Sequence, residues 1–485
     1  MRWSTDLVNK LKQNLTPAFQ QVIKIVHRTV PYGHANPYLD GIFAPQRNES
    51  FSDALHVTGQ IPQALDGALL RIGPNPISVM NPKLHHWFVG DGILHALRIK
   101  DGKASWYKSQ YVGADSVQKK LNRPFIQGQR RGATDAVNTN VIAYAGKIWA
   151  LVEAGAQPIE IDEKLNSKRQ QLFENTADLP FTAHPHIDPE TGDIHAICYD
   201  ALEQNTVFYL HLDAQGQLQH HTKIPVQHGP MIHDCAITQS HVLILDLCVN
   251  FSLKYVFKGV MLPYQWNSTH QARIGLMPFD GQASDIQWFN LAPCFIFHVA
   301  NAYDLENGDV VMDAVVHCKA FEHSIQGPIE DQEIYLERFI FERRTGQVKR
   351  EILVKLKQEF PRVNENYTGR QHRYIYSISF AEFDAPTQVK ANQLLVYDTH
   401  TKQLHSYSYN ENTVFGEVVF VAKPDATQEN DGWLMTYAHA LDCRPSKVLI
   451  FDAVAFQAGP IATIELPVRV PLGFHCNWID YTKLA

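Results

Sequence analysis

The 485-residue chain is 45% hydrophobic and carries a formal net charge of −7. It can bury a large core, and on length alone about three domains are expected, although single barrels and propellers depart from that rule. The acidic balance and the lack of a basic run exclude nucleic acid as an expected partner, and no apolar run reaches the roughly 18 residues that a membrane span needs.

The first thirty residues differ in texture from the rest. Ser4-Thr5-Asp6 can cap a helix, and Leu7, Leu11, Leu15, Phe19, Val22 and Val26 then recur at three- and four-residue steps. Lys10, Lys12, Lys24 and Arg28 lie mostly off that stripe, and Pro17 kinks the helix or divides it. Segment 1–30 therefore reads as an amphipathic helical unit. It either packs on the main domain or lies at a lipid interface with its lysines among head groups.

From Asn36 to the C-terminus the chain reads as short strands and turns. Val141-Ile142-Ala143-Tyr144, Val207-Phe208-Tyr209-Leu210, His241-Val242-Leu243-Ile244-Leu245 and Gln393-Leu394-Leu395-Val396-Tyr397 are β-rich runs. Asp188-Pro189-Glu190-Thr191-Gly192-Asp193, Asp213-Ala214-Gln215-Gly216, Arg344-Thr345-Gly346 and Lys423-Pro424-Asp425 supply the turns of antiparallel hairpins. An all-β stretch this long, with no linker to divide it, fits radial repetition, because propeller blades leave only short edges. About seven blades of sixty-odd residues use the length over 36–485. The seven cysteines are odd in number, contain no C-x-x-C pair and follow no signal-peptide pattern. They read as reduced thiols of a cytoplasmic protein.

Four histidines share one setting. His184, His233, His298 and His475 each sit among apolar and aromatic residues near the end of a strand-like run. A buried imidazole costs free energy unless its nitrogens find partners. Widely separated imidazoles can share one partner, a metal ion, only at a common axis, which a propeller provides. The chain holds 24 histidines, so each position alone reads as an ordinary core residue. Imidazole suits iron, copper, zinc and nickel, so the ligands do not by themselves name the metal. Carboxylates embedded in apolar strands, Glu153, Glu359 and Glu417, are candidates to accept the other ring N–H of such histidines.

At these residues the sequence resembles the carotenoid cleavage oxygenase family, which includes apocarotenoid-cleaving, stilbene-cleaving and retinoid-isomerising members. The resemblance runs from about Asn36 to the C-terminus. It is carried by Asn36-Pro37-Tyr38-Leu39, Gly41-Ile42-Phe43-Ala44-Pro45, Val57-Thr58-Gly59-Gln60-Ile61-Pro62, Arg71-Ile72-Gly73-Pro74-Asn75-Pro76 and His86-Trp87-Phe88-Val89-Gly90-Asp91-Gly92. Asn138-Thr139-Asn140 and the histidine and glutamate segments continue it in order. The departures are Val89 where an acidic residue is common, Cys235 where Phe is common, and Asp304 where Glu is common. None removes a metal-binding group.

The resemblance implies an all-β, seven-bladed propeller with one ferrous ion on its axis, capped by loops and short helices. It makes His184, His233, His298 and His475 the metal ligands and Glu153, Glu359 and Glu417 the residues that orient three of them, and it leaves His186 out of the set. It puts Thr139 beside the metal, where it limits access to one coordination position. The expected reaction is oxidative cleavage of a C=C bond of a carotenoid or apocarotenoid, with dioxygen as co-substrate and two carbonyl products. Stilbene-cleaving relatives use a lysine before the first glutamate and an upstream tyrosine; here Val152 and the region around Val117 offer neither. An apolar polyene is thus the expected substrate, and no obligatory protein partner is evident. A polyene resides in membranes, so peripheral contact is a further expectation, through the N-terminal segment or the apolar stretch Phe251–Trp266. The alternatives are a stilbene- or phenylpropenoid-cleaving enzyme, a retinoid-type isomerase or, from another class, a propeller that binds without metal chemistry.

Overall fold

The computed structural model describes residues 30–33, 35–132, 136–171, 178–327, 333–379, 383–385 and 388–484. The amphipathic segment predicted over 1–30 lies, but for its last residue, outside them. Seven sheets of four to six strands follow one another along the chain, with two short ribbons between them, so the expected seven-bladed propeller is the fold. Pairing within the blades is antiparallel between successive strands, and the predicted β-runs fall where expected, at Asn140–Tyr144, Thr206–Leu212, His241–Asp246 and Leu394–Asp398.

Burial follows radial position. Middle strands such as His241–Asp246 and Val310–His317 are buried along their whole length, because neighbouring blades cover both of their faces. The outer strands Leu218–Pro225 and Gln347–Val354 carry many exposed residues, as strands with one wet face do. One edge strand of each blade faces the axis. Phe295–Asp304 packs beside Ala236–Ile237 and Gln358–Arg362, and Cys476–Asp480 packs beside Asn140–Tyr144 and Val419–Ala422. Every candidate site residue lies on or within a few residues of such a strand or its partner.

The ring is fastened twice. His56–Gly59, which precedes the strand Gly67–Pro74 of the first blade, pairs with Ala462–Glu465 of the last, and Cys476–Asp480, from after the last blade, pairs with Gly67–Pro74. Both junctions are antiparallel ladders, so the blade sheets themselves close the circle.

The α-helices among the described residues are short: Asp115–Lys120 and Leu253–Phe257. None is long and apolar enough to cross a membrane. The second helix sits on a ribbon formed by Val249–Phe251 and Tyr264–Trp266. Its stretch divides in two: Val256, Val260 and Tyr264 are buried, while Leu253 and Phe257 are 60% and 70% exposed.

Candidate metal centre

The four histidines meet. One ring nitrogen from each of His184, His233, His298 and His475 lies within 4.8 Å of all the others, and all four residues are buried. The ring centroids of His184 stand 4.6, 5.3 and 4.4 Å from those of His233, His298 and His475. Four blades thus contribute one imidazole each, although the residues are spread over nearly 300 positions of sequence.

The backbone aims them by local irregularity. In the strand Phe295–Asp304 the register slips between Ile296 and Val299, so an extra residue is inserted within Phe297-His298. A bulge of this kind turns a side chain away from the regular alternation. A second slip lies between Glu359 and Arg362, and Phe360 there has a φ of +54°. Ala154, which follows Glu153, has a φ of +64°. Left-handed conformations at non-glycine residues cost on the order of 1–3 kcal/mol each and persist where the surroundings enforce them. Both follow directly on a carboxylate that meets a histidine.

The three pairings are specific. His233 Nδ1 lies 2.9 Å from Glu153 Oε2, His298 Nδ1 2.7 Å from Glu359 Oε2, and His475 Nδ1 3.2 Å from Glu417 Oε1. A carboxylate accepts, so each neutral imidazole carries its proton on Nδ1 and presents the Nε2 lone pair. Among the described residues no carboxylate pairs with His184. Nε2 of His184 and of His298 is buried without a hydrogen-bond partner. Four inward nitrogens held near one another, three of them on imidazoles whose Nδ1 faces a carboxylate, are a donor set suited to a borderline transition-metal ion, so the residues present fit the metal that the sequence led us to expect.

Electrostatics act on the set in both directions: burial opposes charge on His233, but Glu153 beside it prevails and raises it. Burial, reinforced by the neighbouring imidazoles of His475, His233 and His298, holds His184 well below the ordinary histidine range. Burial lowers His475 too, partly offset by Glu417. Burial would raise the carboxylates, but their partners prevail. Glu359 is lowered because His298 and His317 donate to it, and Glu417 falls to about 2 because Arg362 and His475 face it.

His186 stands apart, as expected: its Nε2 bonds Asp234 Oδ1 at 2.9 Å. Thr139 is buried just ahead of the axial strand Asn140–Tyr144, and its hydroxyl donates to Asn138 Oδ1 at 2.9 Å. Its neighbour Asn140 donates to Ala183 O at 2.8 Å and accepts from Asn477 at 2.9 Å, which ties the segments of His184 and His475 together. Sequence reasoning missed several contributors. His317 Nε2 donates to Glu359 Oε1 at 2.6 Å, and Arg362 Nη1 to Glu417 Oε1 at 3.0 Å. His317 ends an apolar run, Val310–His317, as the four histidines do, and that signal could have found it.

One flank of the centre is aromatic. Phe297 lies 5.3 Å from His233, and Phe88 lies 5.8, 6.0 and 5.3 Å from Phe297, Phe321 and Phe474. Trp87 and Tyr38 continue the row, stacked at 5.4 Å. Phe360 stacks on His298 at 5.0 Å. Val152 and Val117 both pack into an apolar cluster, so neither brings a polar group near Glu153.

Residues 43–480 match the family model described as Retinal pigment epithelial membrane protein. A carotenoid cleavage oxygenase of Mycobacterium tuberculosis is 34% identical over 494 aligned residues, covering 92% of this chain and 98% of the relative. Among solved structures, the lignostilbene dioxygenase of Pseudomonas brassicacearum superposes with a TM-score of 0.81 at 25% identity, covering 93% of this chain and 99% of that one. The apocarotenoid oxygenase of Synechocystis gives 0.77 at 25% identity, covering 90% and 96%.

Proposed function

Since the chain belongs to the carotenoid cleavage oxygenase family, we propose that this dioxygenase cleaves a C=C bond of a carotenoid or apocarotenoid with iron(II) held by His184, His233, His298 and His475. The observation that carries the reading is the meeting of four buried imidazoles, three of them backed by carboxylates, beside an aromatic wall. When bound, iron(II) supplies the coordination positions at which dioxygen becomes reactive toward an alkene. Glu153, Glu359 and Glu417 hold three imidazoles in one tautomer and one orientation, and partners of this kind are typically worth about 10- to 100-fold in metal affinity or activity. Thr139 bounds one side of the centre and restricts approach to it.

The overall reaction adds both atoms of dioxygen across one double bond and breaks it, leaving two carbonyl groups. Four electrons leave the alkene carbons and four enter dioxygen, and no proton is gained or lost. The site therefore needs no general acid or base, which agrees with four imidazoles turned toward one shared centre. What remains for the protein is placement: Phe88, Phe297, Phe321, Phe360 and Phe474 offer apolar faces that hold an extended hydrocarbon and exclude water. Leu253 and Phe257, with exposed Lys254 and Lys258 beside them, suit a shallow contact with a lipid surface in which such a substrate dissolves.

A phenolic alkene is the second reading, supported by the likeness to a lignostilbene dioxygenase. Val152 and Val117 count against it, because neither supplies a donor for a phenol. The test is anaerobic reconstitution with ferrous iron, then aerobic incubation with detergent-dispersed carotenoids, apocarotenals and hydroxystilbenes, read by product mass. Paired carbonyl fragments of a polyene, lost in His298→Ala, are expected. Cleavage of stilbenes alone would select the second reading, and product formed without dioxygen uptake would select isomerisation.

A further inference from the structure

The three histidine–carboxylate pairs are not equivalent, and the difference lies one layer farther out. Glu153 has the Tyr199 phenol beside it, and Glu359 has the His317 imidazole at 2.6 Å. Neither partner carries a fixed positive charge. Glu417 alone meets a fixed positive charge. Arg362 Nη1 donates to Glu417 Oε1 at 3.0 Å, and the same oxygen accepts His475 Nδ1–H at 3.2 Å, the longest of the three histidine–carboxylate contacts. Arg362 also donates to Cys476 O at 3.3 Å and to Asn477 Oδ1 at 2.8 Å, the two residues that follow His475. Its remaining partner, Glu365, is 69% exposed at the side chain and thus largely screened by solvent.

Charge follows from these contacts. Three carboxylates touch the imidazoles and one guanidinium touches a carboxylate, which leaves two negative charges. Farther out, Asp234 on His186 and Arg71, paired in register with Cys476, cancel one another. A divalent ion on the four imidazoles makes the assembly neutral, and a trivalent ion leaves it one charge positive. Without Arg362 the order reverses, and the trivalent ion becomes the neutral case. In an interior of low effective dielectric an uncompensated charge is costly.

We propose that Arg362 is a positioning residue for the Glu417–His475 pair whose charge biases the centre toward ferrous over ferric iron. This rests on the reading that the four histidines hold iron. Arg362 shares the Glu417 oxygen with His475, so it limits how much negative charge that imidazole receives. It also holds the segment beyond His475, by the Cys476 carbonyl and the Asn477 side chain. Its effect falls on the equilibrium in which bound iron(II) gives one electron to a mediator and becomes iron(III).

The experiment is a mediated redox titration of the iron-loaded enzyme at low salt, with the ferric signal read by electron paramagnetic resonance. It compares wild type, Arg362→Gln and Arg362→Lys. Arg362→Gln is expected to raise the ferric-to-ferrous ratio at fixed potential tenfold or more, a midpoint lower by about 59 mV or more for a one-electron couple. Arg362→Lys keeps the charge without the fork and is expected to stay near wild type. A purely structural role would weaken both variants alike and leave the midpoint unmoved. If Arg362→Gln does not fold, Arg362→Met, which keeps the apolar stem without the charge, decides in its place, and the same fall in midpoint is expected. A midpoint unchanged in a folded Arg362→Gln, or in Arg362→Met where it stands in, overturns the proposal. Failure of wild type to bind iron overturns the underlying reading instead.

Discussion

Glu359→Gln is the sharpest probe of the centre, because this carboxylate serves two imidazoles at once. Its Oε2 accepts from His298 Nδ1 and from the Phe360 N–H, each at 2.7 Å, and its Oε1 accepts from His317 Nε2 at 2.6 Å. Glutamine keeps one acceptor and gains a donor. An NH2 group at the Oε2 position would face two N–H groups, so the amide oxygen is expected there, with the NH2 toward His317. That imidazole can then shift its proton to Nδ1 and accept. His298 thus keeps its orientation but loses its charged partner. The expected cost is a metal affinity lower by about 10- to 100-fold, or roughly 1.4–2.7 kcal/mol. Glu359→Ala removes the acceptor that both imidazole N–H groups share in a buried site and is expected to cost about 1–3 kcal/mol more. Anaerobic competition of ferrous ion against a chromophoric chelator measures the affinity, and thermal denaturation of the metal-free protein measures stability. A glutamine variant within threefold of wild type, or an alanine variant no worse than glutamine, would refute the reasoning.

Gly92→Ala is expected to destabilise by about 3 kcal/mol, because a Cβ there would lie 1.8 Å from the Val137 carbonyl oxygen, ahead of Asn138 and Thr139; chemical denaturation checks it. Acid is expected to unfold the protein early. Burial keeps His95 and His439 well below the histidine range and His86 and His195 near 3. Below pH 6.5 the unfolded chain takes up protons that the folded chain refuses, so stability is full above 6.5 and falls as pH drops. Each of these histidines removes up to about 1.4 kcal/mol per pH unit, and melting temperature against pH, compared with His439→Gln, reads the slope. Leu253→Asp with Phe257→Asp is expected to abolish flotation with neutral phospholipid vesicles while leaving the melting temperature within a few degrees, since both side chains are exposed. Unchanged flotation would remove this helix from any membrane contact.

Much of the architecture was legible because β-structure writes a local signal. Alternating or continuous apolar runs bounded by Gly, Asp and Pro marked Asn140–Tyr144, Thr206–Leu212 and His241–Asp246 within a residue or two. The convergence of His184, His233, His298 and His475 was read from similarity of setting and from the family resemblance, and the rings do meet. The outer partners were less legible: His317 closes an apolar run as the four histidines do, whereas Arg362 carries no such signal. Arg362 and His317 act across a bulge and across a sheet, through register shifts that leave no periodic trace. The left-handed backbone at Ala154 and Phe360 was equally hidden, since neither residue type signals that conformation. The stretch Phe251–Trp266, read as apolar throughout, exposes only part of its side chains, because its five-residue helix has a wet side and a dry one.

The second fastening of the ring gives the centre a birth order. His475 stands immediately before Cys476–Asp480, the strand that clasps the last blade to the first. Until that clasp engages, a growing chain offers at most three of the four imidazoles and lacks the Glu417–His475 pair. Affinity for an ion and closure of the circle are therefore linked quantities. An ion present at a hundred times its dissociation constant adds about 2.7 kcal/mol to the closed form. The centre that carries the chemistry would then also act as a rivet, and the loaded ring should be slower than the empty one to spring open at its seam.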